Sequence, residues 1–498
     1  MIKYYLVSLV ALLLSVSSSS AQNFKGQLLD PSDKPLAGAT VYIKEAKQGV
    51  VSDADGQFQT ILDGGVYTVE YKHPEYKTIK KTISIDSSAV LTDTLILEKK
   101  TLFFDETEVK NDTIASHIIK SVMDKASFYM QIIPDYKAAS YIKGDMKISE
   151  VSSITDLATY KVEKVHLSKY KDKPFYQEIY NKIDYFRPDK YKLTIRGYSG
   201  NIPDDFNFKG IINSLGGNIY SHRFNGFISP VNPDGFSYYR YKYEGFYIEH
   251  EKILHKIKVE SKVKDPELLN GYLYIMDEGR YIVYSQLMSN TQGMMRSTLI
   301  AYGEMEPAVY LPLTYYTNID FNLLGTRGDI AYYTSLKYKT ISENKTSSNV
   351  SSIYKGNEQI ATQVIVEPTA YRRDVAYWDR VRTNPLRLLT SEGDTISEPI
   401  RFEKKKYHPG NFWFGKIVLG GYIHGSDTSK WSLKYSGVKE VFKDYNYVDG
   451  FWIGEKFEIK SKLSGNRTLN ITPHIYYVTA RHRAIGWSDA VFNYAPDR

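Results

Sequence analysis

The chain has 498 residues, 42% hydrophobic and 24% charged, with 64 basic against 57 acidic side chains and no cysteine. That length and apolar content suit roughly three packed domains and exclude global disorder. A net charge of +7 spread over the whole length excludes a concentrated nucleic-acid-binding face. The missing thiols exclude disulfides, thiolate nucleophiles and cysteine-ligated metals. Residues 1–21 have the layout of a secretory signal peptide. Lys3 supplies a short positive start, Tyr4 to Leu14 an apolar run, and Ser15 to Ala21 a small-residue cleavage region before Gln22. The run is about half the length of a membrane-spanning helix, so removal fits better than the alternative of a retained anchor. No cysteine near Ala21 could accept a lipid. The chain is therefore expected outside the cytoplasm. Its 44 tyrosines, suited to half-buried strands and to wet apolar boundaries, point to a β-rich envelope protein.

Residues 24–99 have the spacing of a small β-sandwich. Phe24 to Leu29 is a short strand, and Asp30 to Gly38 a turn cluster. Val41 and Ile43 share one face of the next strand, and Asp53-Ala54-Asp55-Gly56 is a tight turn. The acidic turn lacks the later glutamate of a calcium loop, because that position is Leu62. Gly65 to Tyr71 alternates again, and Ile79, Ile83, Ile85, Leu91, Leu95 and Leu97 mark two further strands. The set Gly26, Asp30, Pro35-Leu36, Gly38-Ala39, Val41, Gly49, Asp53, Asp55-Gly56, Phe58, Gly65 and Tyr67 resembles the carboxypeptidase-regulatory-like domain. The resemblance implies a seven-stranded, transthyretin-like sandwich that serves as a folding or docking module without catalytic residues. Val41, Phe58 and Tyr67 are expected to face its core.

Residues 100–110 are a charged linker. A helix follows, with Asp112 as its expected N-cap and Ile114, Ile118, Val122 and Ala126 on one stripe; His117 is expected to be packed or solvated. The region 111–410 then reads as a large antiparallel periplasmic β domain. Its expected strands include Ala139 to Ile148, Leu157 to Leu167, Phe236 to Tyr247 and Tyr272 to Tyr284. Phe206 to Gly217 is expected to interrupt the strands as a loop or short helix, and Asn344 to Asn349 as a polar loop. Glu392 marks an acidic patch and Arg401 to Lys406 a basic run. Residues 411–498 return to strands of about ten residues, broken at Gly425-Ser426-Asp427, Ser436-Gly437, Asp449-Gly450 and Ser464-Gly465. Leu469, Ile471, Ile475 and Tyr477 share one face there, the weak signature of a transmembrane barrel.

A second set of residues carries a second resemblance. Asp374, Tyr377-Trp378, Arg382 and Pro385-Leu386, with Val448-Asp449-Gly450-Phe451 further on, are similar to segments of a family of exported Gram-negative proteins of unassigned function. That family pairs the regulatory-like domain with a periplasmic region and an outer-membrane barrel. The resemblance implies a periplasmic or outer-membrane location. The stretch from Asn411 has room for about six strands, whereas a closed barrel needs at least eight, so a truncated barrel, or one carried elsewhere, is expected.

The fold class expected is thus mainly β: a sandwich, a helix-led antiparallel domain and the first strands of an outer-membrane barrel. For chemistry the sequence nominates little. It has no His-Glu-x-x-His, no Gly-x-Ser-x-Gly and no Gly-rich phosphate loop, and its ten histidines are dispersed. His250 and His255, the nearest pair to a ligand set, are expected on opposite strand faces. No catalytic, cofactor or metal residue is named. Two functions remain: a non-enzymatic envelope protein binding other envelope proteins, a glycan or a peptide, with no nucleic-acid partner, or a secreted glycan-active hydrolase using two carboxylates. The first is the expectation. A converging acid pair in a cleft would favour the second.

Overall fold

A computed structural model describes residues 22–85, 91–104, 108–157, 166–187, 190–200, 215, 217–291, 293–342, 361–386, 421–424, 429–435, 442–446, 450–463 and 467–494. The signal segment 1–21, the expected polar loop 344–349, Glu392 and the basic run 401–406 lie outside them. So do the expected breaks at 425–427, 436–437 and 464–465, and all but Leu215 and Gly217 of the expected interruption at 206–217. The chain forms two compact units, one from 1–149, 172–323 and 327–401 and the other from 150–171, 324–326 and 402–498. It is mainly β.

The first unit begins with the sandwich. Its strands are β1 (Gln22–Leu29), β2 (Thr40–Ile43), β3 (Gln48–Val51), β4 (Gln57–Leu62), β5 (Gly65–His73), β6 (Tyr76–Ile85) and β7 (Leu91–Ile96). One sheet runs β4-β1-β7 and the other β3-β2-β5-β6. Alternation fills the space between them with Phe24, Leu28, Val41, Phe58, Val69 and Tyr71, all essentially inaccessible. Each such side chain contributes roughly 1.5–3 kcal/mol on burial. Tyr67 packs against this core from a partly buried position. The Asp53 turn forms as expected. Its Oδ1 accepts the amides of Asp55 (3.1 Å) and Gln57 (2.9 Å), and Gly56 takes φ +71°.

The central sheet follows α1 (Glu108–Ile132). The helix starts before the expected linker ends, so Asp112 lies inside it rather than capping it. Ala115, Ile118, Ile119, Val122, Met123, Ala126 and Tyr129 form its buried stripe, and His117 faces solvent. The strands are β8 (Tyr136–Glu150), β9 (Pro174–Phe186), β10 (Lys190–Gly200), a two-residue hairpin of β11 (Arg223–Phe224) and β12 (Phe227–Ile228), β13 (Tyr239–Glu249), β14 (Lys252–Ser261), β15 (Asn270–Met276), β16 (Ile282–Thr291), β17 (Met294–Glu306), β18 (Val309–Leu323), β19 (Thr326–Ile341) and β20 (Ala361–Val366). Apart from the small hairpin they form a half-barrel sheet ordered β20-β10-β9-β8-β19-β18-β17-β16-β15-β14-β13. The Tyr-Lys alternation of β13 shows why the fold needs so many tyrosines. Tyr239, Tyr241, Tyr243 and Tyr247 are buried, while Arg240 and Lys242 face water.

Four expectations about elements change. Tyr272 to Tyr284 is two strands, because Asp277 to Tyr281 turns between β15 and β16 with Gly279 and Arg280 at positive φ. Phe236 lies in α2 (Gly235–Tyr238), one helical turn before β13. The strand expected from Leu157 to Leu167 is replaced at its described ends: residues 153–157 are helical, and Leu167–Tyr170 is a 3-10 turn. Ser152 starts the first of these, its hydroxyl accepting the Thr155 amide (3.3 Å), and this cap outweighs the alternation. His250, expected on a strand, sits in the β13–β14 turn at φ +47°.

The sandwich is joined to the half-barrel by strand pairing. β3 pairs antiparallel with β19 (Gly49 with Leu336, Gln48 with Lys337), so the two sheets share one hydrogen-bonded ladder. A clasp reinforces the joint. It is built by α3 (Val375–Val381), the element that carries the Tyr377-Trp378 pair. Asp374 caps it by accepting the Tyr377 amide at 2.9 Å, and Trp378 is 1% exposed, its ring packed over Gly197. Beyond the helix, Arg382 holds both oxygens of the fully buried Glu178 (2.7 and 2.9 Å), which also accepts the Tyr141 hydroxyl at 2.7 Å. Asn384 then donates to the carbonyl of Val51 at 2.7 Å, and Thr383 donates to Ser335 at 2.9 Å. One short segment thereby binds β9, β19 and the sandwich. Arg382→Met should destabilise the first unit by about 3–5 kcal/mol, because it strands a buried carboxylate. Adding Glu178→Gln should recover much of the loss. Urea unfolding of both variants measures this.

The second unit contains one sheet of β21 (Gly421–His424), β22 (Trp431–Tyr435), β23 (Phe442–Asn446), β24 (Gly450–Lys462), β25 (Thr468–Val478) and β26 (Arg483–Asn493). Its order is β21-β22-β24-β25-β26, with β23 also on β24. Every pairing is antiparallel.

Candidate functional site

Four places could carry function: the buried charges at the sandwich joint, the concave face of the half-barrel, an acidic depression, and the second unit's sheet. At the joint, Lys100 is 3% exposed and reaches Glu249 at 2.7 Å, with Thr78 donating to the same carboxylate. Burial alone would raise the Glu249 pKa, but Lys100 outweighs it and holds the carboxyl below its ordinary value. Lys72 lies under the sheet, donating to the Tyr302 carbonyl at 3.3 Å with its ammonium 5.2 Å from the Tyr42 ring. Lys143 is shared between Asp53 (3.2 Å) and Asp145 (3.4 Å). Two carboxylates therefore do converge on this joint, but a cation lies between them. Asp53 is further committed through Oδ1 to its own turn. That arrangement fastens the joint, although burial and the neighbouring Asp53 and Asp55 hold the Asp145 pKa above its ordinary value against the pull of Lys143.

His73 at the same joint is held neutral. Its Nδ1 accepts the Glu75 amide at 3.2 Å, and burial pulls its pKa from 6.5 to about 4. Between those values the unfolded chain binds the extra proton. The contribution is therefore complete above about pH 6.5 and declines as the pH falls toward 4. In His73→Gln, the slope of stability against pH across that window should flatten, as thermal unfolding from pH 7 to pH 4 would register.

Part of the concave face of the half-barrel is filled by its own side chains. Tyr136, Tyr191, Tyr220, Tyr302, Tyr315 and Tyr338 enclose a cavity of about 20 Å³, room for about one water. On the rim, Asp320 and Asp329 line an open depression of about 420 Å³ with Asn290 and Arg327. Burial and the neighbouring Asp320 raise the Asp329 pKa, yet both carboxylates remain exposed to water. The described residues contain no cluster of metal-ligating side chains. His255 is used locally, bonded to Tyr243 and Asp277 at 2.9 Å each.

The second unit's sheet has two unlike faces. Register places Trp431 and Leu433 of β22, Ile453 and Ile459 of β24, Leu469, Ile471, Ile475 and Tyr477 of β25, and Phe492 of β26 on one side. None of these is buried; Ile475 is 57% and Phe492 51% exposed. Glu455, opposite Ile475, is the acidic exception. The other side is mixed: it carries Lys434 with Glu458 (3.7 Å), His474 with Asp489 (3.1 Å), and Lys456, Lys460 and Asn470, together with Trp452, Ile485, Trp487, Val491 and the buried Tyr476 and Val478. His474 also stacks on Trp487 at 4.6 Å. The period-two face expected from Leu469 to Tyr477 is therefore continuous across several strands. No described helix is long and apolar enough to cross a membrane, which leaves open crossing by strands.

A seven-stranded sandwich fused to a half-barrel, with a separate sheet that has an exposed apolar face, defines a modular β protein without a recognisable catalytic centre among its described residues. Family profiles divide the chain the same way. Residues 24–109 match the CarboxypepD_reg-like domain, 118–339 the family of unknown function DUF5686, and 415–498 the C-terminal domain of that family. The chain belongs to the family of unknown function DUF5686, with a CarboxypepD_reg-like domain at its N-terminal side.

It has no significant match among curated proteins. Solved structures with some likeness include a domain assigned to outer membrane lipoprotein sorting from Vibrio parahaemolyticus (10% identity, 49% of this chain and 99% of that one, TM-score 0.22). Others are a LolA superfamily protein from Nitrosomonas europaea (10%, 46% and 97%, 0.19) and a DUF1329 family protein from Desulfovibrio piger (10%, 46% and 97%, 0.19). At these TM-scores the likeness does not establish a common fold.

Proposed function

We propose that this is a non-enzymatic cell-envelope protein of a Gram-negative bacterium, exported by residues 1–21 and associated with the outer membrane through the second unit. The sandwich and half-barrel form its periplasmic docking module for envelope partners. One observation carries the reading: the exposed apolar face shared by β22, β24, β25 and β26, opposite a mixed face that holds the sheet's lysines and ion pairs beside the buried Tyr476 and Val478. In water such a face would be covered by a second layer. In a bilayer the polarity runs this way, apolar toward lipid and charged toward a lumen. The strands are long enough: β24 has 13 residues and β25 and β26 have 11 each, against the 9–11 that a tilted spanning strand needs. The joint supports the non-catalytic part, because Lys143 bridges its two convergent carboxylates and Asp53 is further held by its own turn.

The test is cellular fractionation with a carbonate wash. The full chain should stay in the membrane pellet, and its release as a soluble protein would sink the reading. Ile471→Arg with Ile475→Arg should reduce membrane retention, since an arginine near the bilayer midplane costs about 2–4 kcal/mol. Asn470→Arg, on the opposite face, should have little effect.

A further inference from the structure

We infer that the concave face of the half-barrel carries an anion-binding site centred on Arg296, which takes a carboxylate- or phosphate-bearing ligand. Arg296 lies on β17, opposite Ser289 of β16 and Ile319 of β18. Two residues on, Thr298 is bonded to Thr317 at 3.1 Å, and two further along β18 is Tyr315, which lines the inner cavity. The arginine thus shares the inward face and not the face covered by the sandwich.

Its surroundings leave it unspent. Nε donates to Thr298 Oγ1 at 3.3 Å, and among the described residues no carboxylate lies at ion-pair distance and no other acceptor is engaged. A guanidinium has five N–H donors in a rigid fork and keeps its proton at any physiological pH. Burial disfavours that charge here, and the neighbouring Tyr332 offsets only part of the cost. All the other arginines and lysines that the joint and clasp bury have a carboxylate or carbonyl partner.

A second observation points the same way. Tyr332 is 0% exposed, with its ring against Gly144, and its hydroxyl has no hydrogen-bond partner among the described residues. Burial raises its pKa, and the charge of Arg296 acts against that rise, so the two groups feel each other. On the same strand, the Thr334 hydroxyl is buried and unsatisfied too. An oxyanion accepting the guanidinium fork and the Tyr332 hydroxyl would satisfy both in one step. The site is independent of the membrane reading, since it lies wholly in the first unit.

The test uses the full chain in non-ionic detergent, titrated with inorganic phosphate and, separately, dodecyl phosphate, with binding followed by equilibrium dialysis and thermal unfolding. At least one probe should bind saturably, and Arg296→Gln should weaken that binding by at least about tenfold, with Arg296→Lys intermediate. Saturable binding of phosphate itself identifies a soluble anion; binding of dodecyl phosphate alone identifies a lipid head group. In the absence of ligand, Arg296→Met should be no less stable than the parent, because it removes a partly buried charge with no ion-pair partner among the described residues. The inference fails if neither probe binds, if Arg296→Gln binds as the parent does, or if Arg296→Met unfolds the ligand-free chain, which would make the arginine structural.

Discussion

The junction of β3 with β19 is the constraint on which the first unit rests. A sandwich of this size buries a modest core and, without cysteine, has no covalent staple. Continuing its sheet into the half-barrel removes an exposed edge and makes two modules share one hydrogen-bond ladder. A shared ladder needs its outer surfaces held in register, and the polar side chains do that. Ser335 accepts the Val51 amide at 3.1 Å, Thr40 meets Thr314 at 2.6 Å, and Lys143 reaches Asp53. Each bond is modest by itself. Because all are buried together, breaking one exposes or strands the next.

How much of this was legible in the sequence follows from the range of each interaction. The sandwich was readable because its signals are local: Asp53 and Gly56 set a turn within four residues, and alternation sets the faces. The helix stripe was readable for the same reason. Two features misled. At Asp277 to Tyr281 an apolar alternation runs straight through a turn, and only the positive φ at Gly279 and Arg280 reveals the reversal. At Ser152, one hydroxyl cap decides a segment whose composition favours a strand. The clasp was visible as a motif but not as a device. Glu178 and Arg382 are 204 residues apart, and no spacing rule connects them. The signal was the motif of Asp374, Tyr377-Trp378, Arg382 and Pro385-Leu386, which marks the segment without naming the partners it clasps.

The two units use the same period-two pattern toward opposite ends. In β13 the tyrosines turn inward onto a core and the basic residues turn out to water. In β25 the exposed residues, Ile475 and Tyr477, are apolar, while Asn470 and His474 share the other side with the buried Tyr476 and Val478. Alternation alone cannot say which face is wet, because both strands satisfy it equally. Burial resolves the matter, and it does so without reference to the ends of the chain or to the number of strands.

The distribution of buried charge separates fastening from binding in this protein. At the joint, Lys100, Lys143 and Arg382 each meet a carboxylate, and Lys72 meets a carbonyl and a ring. Such pairs are costly to bury and roughly neutral in net stability, so their effect is to fix one arrangement of the modules. Satisfied groups of this kind have nothing left to offer a substrate. A protein acting by contact concentrates its unsatisfied groups where a partner can complete them. Here those groups are a guanidinium and a hydroxyl on the concave face, and a sheet of exposed aliphatic and aromatic side chains on the second unit. On the readings proposed above, the first is completed by an anion and the second by hydrocarbon.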